Sequence, residues 1–330
     1  MNALAAAYAA LTGLWLALRR LTADRPWWLQ AINDFTPLIL LPSLPVLLLS
    51  LLRRSLLGAL AALIPGSALV WLYHQRFTPK HRRASPRPTL RLMTLNILCR
   101  PRSVVATLRA IRESQPDIVM LQEVLPVMGV PLGDELLDEY PYQAIYPGNR
   151  ARGSAILSRL PFEKDERFQL SSRGWYCQEV HVRWNGHRLA LFNLHLMSPR
   201  LRLKWGRVPF DSRPRAAEIR QIIDRIQVPD HDVVIAGDFN MTDQSEDYRT
   251  IRRQMNDAFL DAGWGFGFTY PARSPHGKFW YERHSPALLR LDHLFYRGRL
   301  RARTARVGPN GDSDHYSLIV ELEVLGCAEQ

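Results

Sequence analysis

Three stretches without a charged side chain fill most of the first 74 residues, and they constrain the fold more than anything that follows. Residues 1–18 are apolar or small apart from Asn2, Tyr8 and Thr12 and stop at Arg19-Arg20; residues 36–52 stop at Arg53-Arg54; residues 55–73 form the third run. A membrane-crossing helix needs roughly 17–25 such residues. The first run has its arginines after the apolar stretch, the reverse of a cleavable signal. Pro42, Pro45 and Pro65 would break soluble helices but are tolerated in lipid, where neighbouring helices re-satisfy the backbone. Trp27, Trp28, Trp71 and Tyr73 stand at run ends, where amphipathic rings favour the headgroup region. Buried core helices of a soluble domain account poorly for three such runs in succession. The expectation is a membrane anchor over residues 1–74 with about three transmembrane helices. On three spans the basic residues divide eight against two, which puts the C-terminal domain on the cytoplasmic face.

Charge follows the same division. Residues 1–88 hold ten Arg or Lys against Asp24 and Asp34, whereas residues 89–330 hold 33 basic against 29 acidic residues. The net charge of +12 therefore belongs mostly to the first quarter, which weakens the inference from a basic chain to a nucleic-acid binder. Cys99, Cys177 and Cys327 are too few and too scattered for a disulfide framework or a thiolate zinc site. Residues 75–89 mix basic residues with Pro79, Pro86 and Pro88 and read as a linker, either a tether along anionic lipid or a solvated joint.

From Leu90 the pattern becomes that of one α/β domain over residues 90–325. Apolar strand-like segments occur at 90–98, 117–124, 154–158, 187–196 and 232–240; helical spacing occurs at 103–114, with Ser103 as N-cap, and at 215–227. The strand-like segments share one feature. Their ends carry polar residues: Asn96, Glu123, Asn193 with His195, Asp238 with Asn240, then Asp292 and the Asp314-His315 pair. Strand ends at a sheet rim are where distant side chains converge. Carboxylates, amides and imidazoles without thiols suit Mg²⁺ or Mn²⁺. Neither a GxxxxGK[ST] loop nor a GxSxG elbow is present. The combination fits metal-assisted attack of water on a phosphoester. A second basic cluster, Arg200, Arg202, Lys204, Arg207, Arg213 and Arg215 around Trp205 and Phe210, is either a grip for polyanionic phosphate, a membrane-surface element or a solvated loop.

The ordered series TLN (94–96), LQE (121–123), GSAILSRLP (153–161), NLHL (193–196), GDFN (237–240), LDHLF (291–295) and SDHYSL (313–318) resembles the endonuclease/exonuclease/phosphatase superfamily, and its anchor resembles that of a bacterial membrane-bound subgroup. The resemblance implies a four-layered α/β sandwich, two packed sheets flanked by helices, behind an N-terminal transmembrane anchor in the bacterial inner membrane. It implies that Glu123 binds the divalent metal, with Asn96 beside it and Asp314 assisting. Asp238 would orient or deprotonate water and Asn240 would hold the water or the phosphate. His315, oriented by Asp292, would contact the scissile phosphate, and Asn193 and His195 would supply further phosphate contacts, His195 as a candidate acid for the leaving group. Two departures stand out. Leu98 occupies the position where abasic-site endonucleases carry a metal-binding Asp, and the GSAILSR segment offers no carboxylate to pair with His195. The expected activity is hydrolysis of a phosphodiester, either nucleic acid or a phospholipid or lipid-linked phosphodiester. Besides the lipid bilayer no protein partner is expected; the competing reading is a catalytically silent membrane scaffold.

Overall fold

The computed structural model describes residues 2–22, 26–80, 87–100, 104–201, 210–228, 231–275 and 279–325. The first quarter forms five helices: α1 (Asn2–Thr22), α2 (Trp27–Asp34), α3 (Thr36–Leu40), α4 (Ser43–Leu52) and α5 (Leu56–Phe77). Ser55 caps α5, its hydroxyl accepting from the Gly58 amide at 3.1 Å, and donates to Asn2 Oδ1 at 2.7 Å. The N-terminal ends of α1 and α5 therefore meet. Helices α1 and α5 pack directly on each other and the 36–52 segment packs on α5, with the Tyr8 hydroxyl donating to the Ile39 carbonyl at 2.6 Å. Trp15 Nε1 donates to Asn33 Oδ1 at 2.8 Å within this bundle.

The helices of this bundle differ in length and apolarity. Among the described residues only α5 is long and apolar enough to cross a bilayer alone, and α2 with residues 36–52 qualifies only as a pair bent by 74°. Helix α1 has the length, 21 residues, but includes Asn2 at its start and Arg19 and Arg20 in its last turn. The packing of α5 is inside out relative to a soluble helix. Gly58, Ala61, Ala62, Pro65 and Ala68 are buried against the neighbouring helices, whereas Leu56, Leu57, Leu60, Leu63, Ile64 and Val70 face outward. Small residues inside and large apolar residues outside are the pattern of helices that associate in lipid.

The second domain contains β1 (Thr89–Asn96), β2 (Ile118–Gln122), β3 (Tyr142–Tyr146), β4 (Ser154–Ser158), β5 (Phe162–Gln169), β6 (Tyr176–Trp184), β7 (His187–His195), β8 (Arg200–Leu201), β9 (Phe210–Asp211), β10 (Asp232–Asp238), β11 (Asn256–Asp257), β12 (Asp292–Arg297), β13 (Leu300–Val307) and β14 (Leu318–Val324). Two six-stranded sheets form, ordered β13-β14-β1-β2-β4-β3 and β11-β12-β10-β7-β6-β5, while β8 and β9 make a separate small hairpin. The β1/β2 and β10/β7 pairs at the sheet centres are parallel. Leu92, Met120 and Ile156 of one sheet pack against Val180, Leu191, Val234 and Leu294 of the other.

Helices cover both outer faces. Leu108 and Ile111 of α6 (Val105–Ser114) and Met128 and Leu132 of α7 (Pro126–Leu136) pack on the first sheet. Ile219 and Ile222 of α8 (Arg213–Arg225) and Ile251 of α9 (Glu246–Arg252) pack on the second. The domain is a four-layered α/β sandwich. Ser103, the expected cap of α6, lies outside the described residues, as do Arg202, Lys204, Trp205 and Arg207 of the second basic cluster.

Candidate active site

Side chains alternate faces along a strand, so residues sharing parity with the inter-sheet core also face the gap between the sheets. Asn96 continues Leu92 and Thr94, His195 continues Leu191 and Asn193, Asp238 continues Val234 and Ala236, and Asp292 precedes Leu294. Register aligns them at one end: Asp238 pairs with His195 on β7 and with Asp292 on β12. On the other sheet Asn96 lies opposite Gln122, one residue before Glu123, and Thr94 lies opposite Leu318, three residues after His315. The polar strand ends thus converge at one rim of the sandwich.

Two glycines of the sequence series make the close packing feasible. A Cβ on Gly237, whose φ is +144°, would lie 1.8 Å from the Leu194 carbonyl oxygen; on Gly153 it would lie 1.8 Å from that of Val124. The first lets β10 bring Asp238 beside His195, and the second lets the start of β4 approach the turn carrying Glu123. Glu123 and Asn240 adopt left-handed backbone with φ of 64° and 49°. Such conformations in non-glycine residues persist where surrounding contacts over-determine them. Glu123 is fixed by Cys99 N and Asn96 Nδ2, which donate to its two carboxylate oxygens at 2.7 and 3.0 Å.

Asn96 Nδ2 also donates to Asp238 Oδ2 at 3.1 Å, joining the Glu123 and Asp238 carboxylates through one amide. Asp238 Oδ1 accepts from the Asn240 amide at 2.8 Å, and the Asn240 side chain donates to the Leu196 carbonyl at 2.9 Å. His315 Nδ1 lies 2.9 Å from Asp292 Oδ2, and its Nε2 points toward Asp238 Oδ2 at 3.8 Å. His195 Nε2 stands 3.8 Å from Glu123 and 3.7 Å from Asp238. Aromatic rings flank both imidazoles, Trp175 beside His195 at 5.7 Å and Tyr270 beside His315 at 4.9 Å.

Burial raises the Asp238 carboxyl above its ordinary value, with His315 and His195 pulling against the rise and Asp292 adding to it. Burial alone would lower His315, but Asp292 and Asp238 overcome it and hold the imidazole well above its usual value. Burial would likewise raise Glu123, yet His195 and the hydrogen bonds from Cys99 and Asn96 bring it below the usual carboxylate range. Asp314 is raised by burial and by the nearby Glu123, against the pull of His315.

Four carboxylates, Glu123, Asp238, Asp292 and Asp314, therefore share one rim. Among the described residues none of them forms a salt bridge with a lysine or arginine; the ion-pair partners of Glu123, Asp238 and Asp292 are His195 and His315. A cluster of hard oxygen donors with so little positive compensation suits a divalent cation. Asp238, Asp292 and His315 also present ligand atoms within 4.8 Å of one another. Asp292 Oδ1 in that group is buried without a hydrogen-bond partner, whereas Glu123, with Asn96 and Asp314 beside it, lies outside the group and has both carboxylate oxygens accepting from Cys99 and Asn96.

One expected site residue lies elsewhere. Asn193 sits deeper than His195, and its amide nitrogen donates to the Leu121 and Ala155 carbonyls and to Gln178 Oε1, while its oxygen accepts from Gln122. Its hydrogen bonds are spent tying the two sheets together, not on phosphate. Arg215 of the second basic cluster is likewise structural: it is buried, pairs with Asp247 at 2.8 Å and donates to the Asn240 carbonyl. Supporting residues not singled out in the sequence include Thr269, whose hydroxyl oxygen accepts from the Leu291 and Asp292 amides at 3.1 and 3.2 Å. Ser313 is another, donating to the Asn96 carbonyl at 2.5 Å and accepting from the His315 amide at 3.2 Å.

Two packed sheets with an acidic, imidazole-bearing rim define the phosphoesterase class of sandwich to which the motifs pointed. The sequence pattern of the Endonuclease/Exonuclease/phosphatase family matches residues 93–315, and the chain belongs to that family. Solved structures share the fold at low identity. Truncated TDP2 of Caenorhabditis elegans aligns with a TM-score of 0.57 at 22% identity, covering 72% of this chain and 98% of that one. A family protein from Bacteroides vulgatus aligns with a TM-score of 0.57 at 20% identity, covering 72% and 100%. TDP2 of D. rerio complexed with single strand DNA product aligns with a TM-score of 0.58 at 16% identity, covering 72% and 99%. No curated protein sequence matches this chain.

Proposed function

We propose that the protein is a membrane-anchored phosphodiesterase that uses a divalent cation, Mg²⁺ or Mn²⁺, to hydrolyse a phosphodiester at the Glu123–Asp238–His315 rim. The observation that carries this reading is the convergence of four carboxylates and two histidines at one rim. A cation held by Glu123, with Asn96 and Asp314 beside it, would neutralise phosphoryl oxygen charge. Asp238, its carboxylate fixed by Asn96 and Asn240, orients the attacking water and takes its proton. His315, held by Asp292, offers its Nε2 proton to a phosphoryl oxygen. His195 protonates the departing oxygen as the phosphorus–oxygen bond breaks.

The inside-out packing of α5 supports a membrane location. The basic residues flanking that helix, Arg53 and Arg54 before it against Arg76, Lys80, Arg82, Arg83 and Arg87 at and beyond its end, favour the cytoplasmic face of a bacterial inner membrane for the catalytic domain. Phe279, Trp280 and Tyr281 are exposed, Trp280 at 73%, and adjoin Glu282, whose charge acts on Asp314. An exposed aromatic strip beside the site of an anchored enzyme favours a phosphodiester carried by a lipid. The second reading, a single-stranded nucleic acid, is supported by the D. rerio TDP2 structure bound to single strand DNA product.

Two outcomes are expected. The full chain should remain with membranes through carbonate washing; release of intact protein would show that its helices do not cross. The detergent-solubilised full chain with Mg²⁺ should hydrolyse phospholipid in mixed micelles at least tenfold faster, per phosphodiester, than single-stranded DNA. The opposite preference would favour the nucleic-acid reading.

A further inference from the structure

Three consecutive residues just beyond the catalytic end of β10 are each held by a different anchor helix. Thr242 Oγ1 donates to Asp34 Oδ1 at the end of α2, at 2.7 Å. Asp243 forms an ion pair with Arg76 in the last turn of α5. The backbone and side-chain oxygens of Gln244 both accept from Arg19 Nη2 at 3.0 Å, in the last turn of α1. Thr242 follows Asn240 by two residues and Asp238 by four, so the anchor grips the loop that carries the water-orienting pair.

Arg76 makes a second connection. Its Nη1 donates to the Phe266 carbonyl at 2.8 Å, and its own carbonyl accepts from the Gly265 amide at 2.9 Å. The rings of Tyr73 and Phe77 pack edge-on against Phe266 at 5.2 and 5.1 Å. From Phe266 the chain runs within three residues to Thr269, which accepts from the Asp292 amide, and within four to Tyr270, whose ring packs on His315. One guanidinium on the anchor therefore touches both segments of the site: the loop after Asp238 and Asn240, and the stretch that seats Asp292 and His315. Arg76 is only 5% exposed. Burying a guanidinium at an ordinary docking surface is costly unless its hydrogen bonds are satisfied and its charge is paired; here both arms are used on site-bearing loops.

We propose that the anchor is a working part of the active site, with Arg76 as the positioning residue that sets the Asp238–Asn240 loop against the Asp292–His315 pair. Catalysis then depends on the anchor being docked and not only on the domain being brought to a membrane. The inference rests on the catalytic reading of those loops.

The test uses the full chain in detergent micelles. Arg76→Met is expected to lower kcat tenfold or more with KM changed less than twofold, and Arg76→Lys to recover part of the loss. Asp243→Asn should lose a comparable amount, and the Arg76→Met/Asp243→Asn double variant should be no worse than the poorer single one, because the two act as one unit. An active Arg76→Met protein with kcat within twofold of wild type overturns the proposal, as do losses that multiply in the double variant. Should Arg76→Met fail to accumulate, Thr242→Val decides instead: removal of one hydroxyl is expected to lower kcat severalfold, and unchanged kcat overturns the proposal. A readout without turnover separates this inference from the catalytic reading beneath it. Amide hydrogen exchange across residues 238–245 and 265–270 should accelerate together in Arg76→Met or, if that variant does not accumulate, in Asp243→Asn, and unchanged exchange contradicts the positioning role even if the wild-type chain proves inactive on every phosphodiester. An inactive wild type overturns the catalytic reading alone.

Discussion

His315→Ala is expected to lower kcat by a factor of about 10²–10⁴, Asp292→Asn to lower it less, and the double variant to match His315→Ala alone. The two side chains form one unit. His315 Nδ1 meets Asp292 Oδ2 at 2.9 Å, Asp292 is fully buried, and its backbone amide is held by Thr269. A carboxylate that accepts from Nδ1 fixes the ring and favours the protonated imidazolium, whose Nε2–H can then donate to the phosphate. Asp292→Asn keeps the shape but removes the charge that keeps the imidazole protonated. Once His315 is gone, Asp292 has nothing to orient, and the losses cannot multiply. Steady-state kinetics of the three variants at saturating Mg²⁺ checks this; multiplying losses would show that Asp292 acts independently of His315.

Glu123→Gln should have an effect of similar size by another route. The side chain keeps its volume, but its amide offers one acceptor oxygen where both carboxylate oxygens accept from Cys99 and Asn96, so it keeps one of those contacts and loses the charge that would hold a divalent cation. Activity is expected to fall by on the order of 10² or more at low Mg²⁺, with partial recovery as Mg²⁺ is raised and the fold retained at a modest loss of thermal stability. A variant with wild-type turnover and wild-type Mg²⁺ dependence would remove Glu123 from the metal site.

The sandwich and most of its rim were legible because both are written locally. Apolar strands with polar ends mark where each strand meets the rim, and the period of two carries Asn96, His195, Asp238 and Asp292 onto the same face. Depth along a strand is not written that way. Asn193 and His195 share a face, yet only the geometry of the two packed sheets shows that Asn193 lies below the site, spent on Leu121, Ala155 and Gln178. Arg215 reads as one more member of a basic cluster until its partners Asp247 and Asn240, 32 and 25 residues away, are in place. Apolar run length suggested about three similar spans, but Pro42 and the bend between α2 and the 36–52 segment break that uniformity. The contacts between the N-terminal helices and the loop after β10 join residues as far apart as Arg19 and Gln244, separated by 225 positions, and nothing local announces them.

The most direct measurement is hydrolysis of a simple chromogenic phosphodiester by the purified full chain, with Mg²⁺ titrated in the presence and absence of EDTA and with Asp238→Asn as the matched control. A divalent-metal phosphodiesterase centre predicts turnover that rises with Mg²⁺, disappears with EDTA, returns when Mg²⁺ is restored, and is lost in Asp238→Asn. A folded, membrane-integrated wild-type chain with no turnover at any Mg²⁺ concentration, or turnover that survives both EDTA and Asp238→Asn, would contradict it, the first outcome pointing to a silent scaffold that keeps the fold.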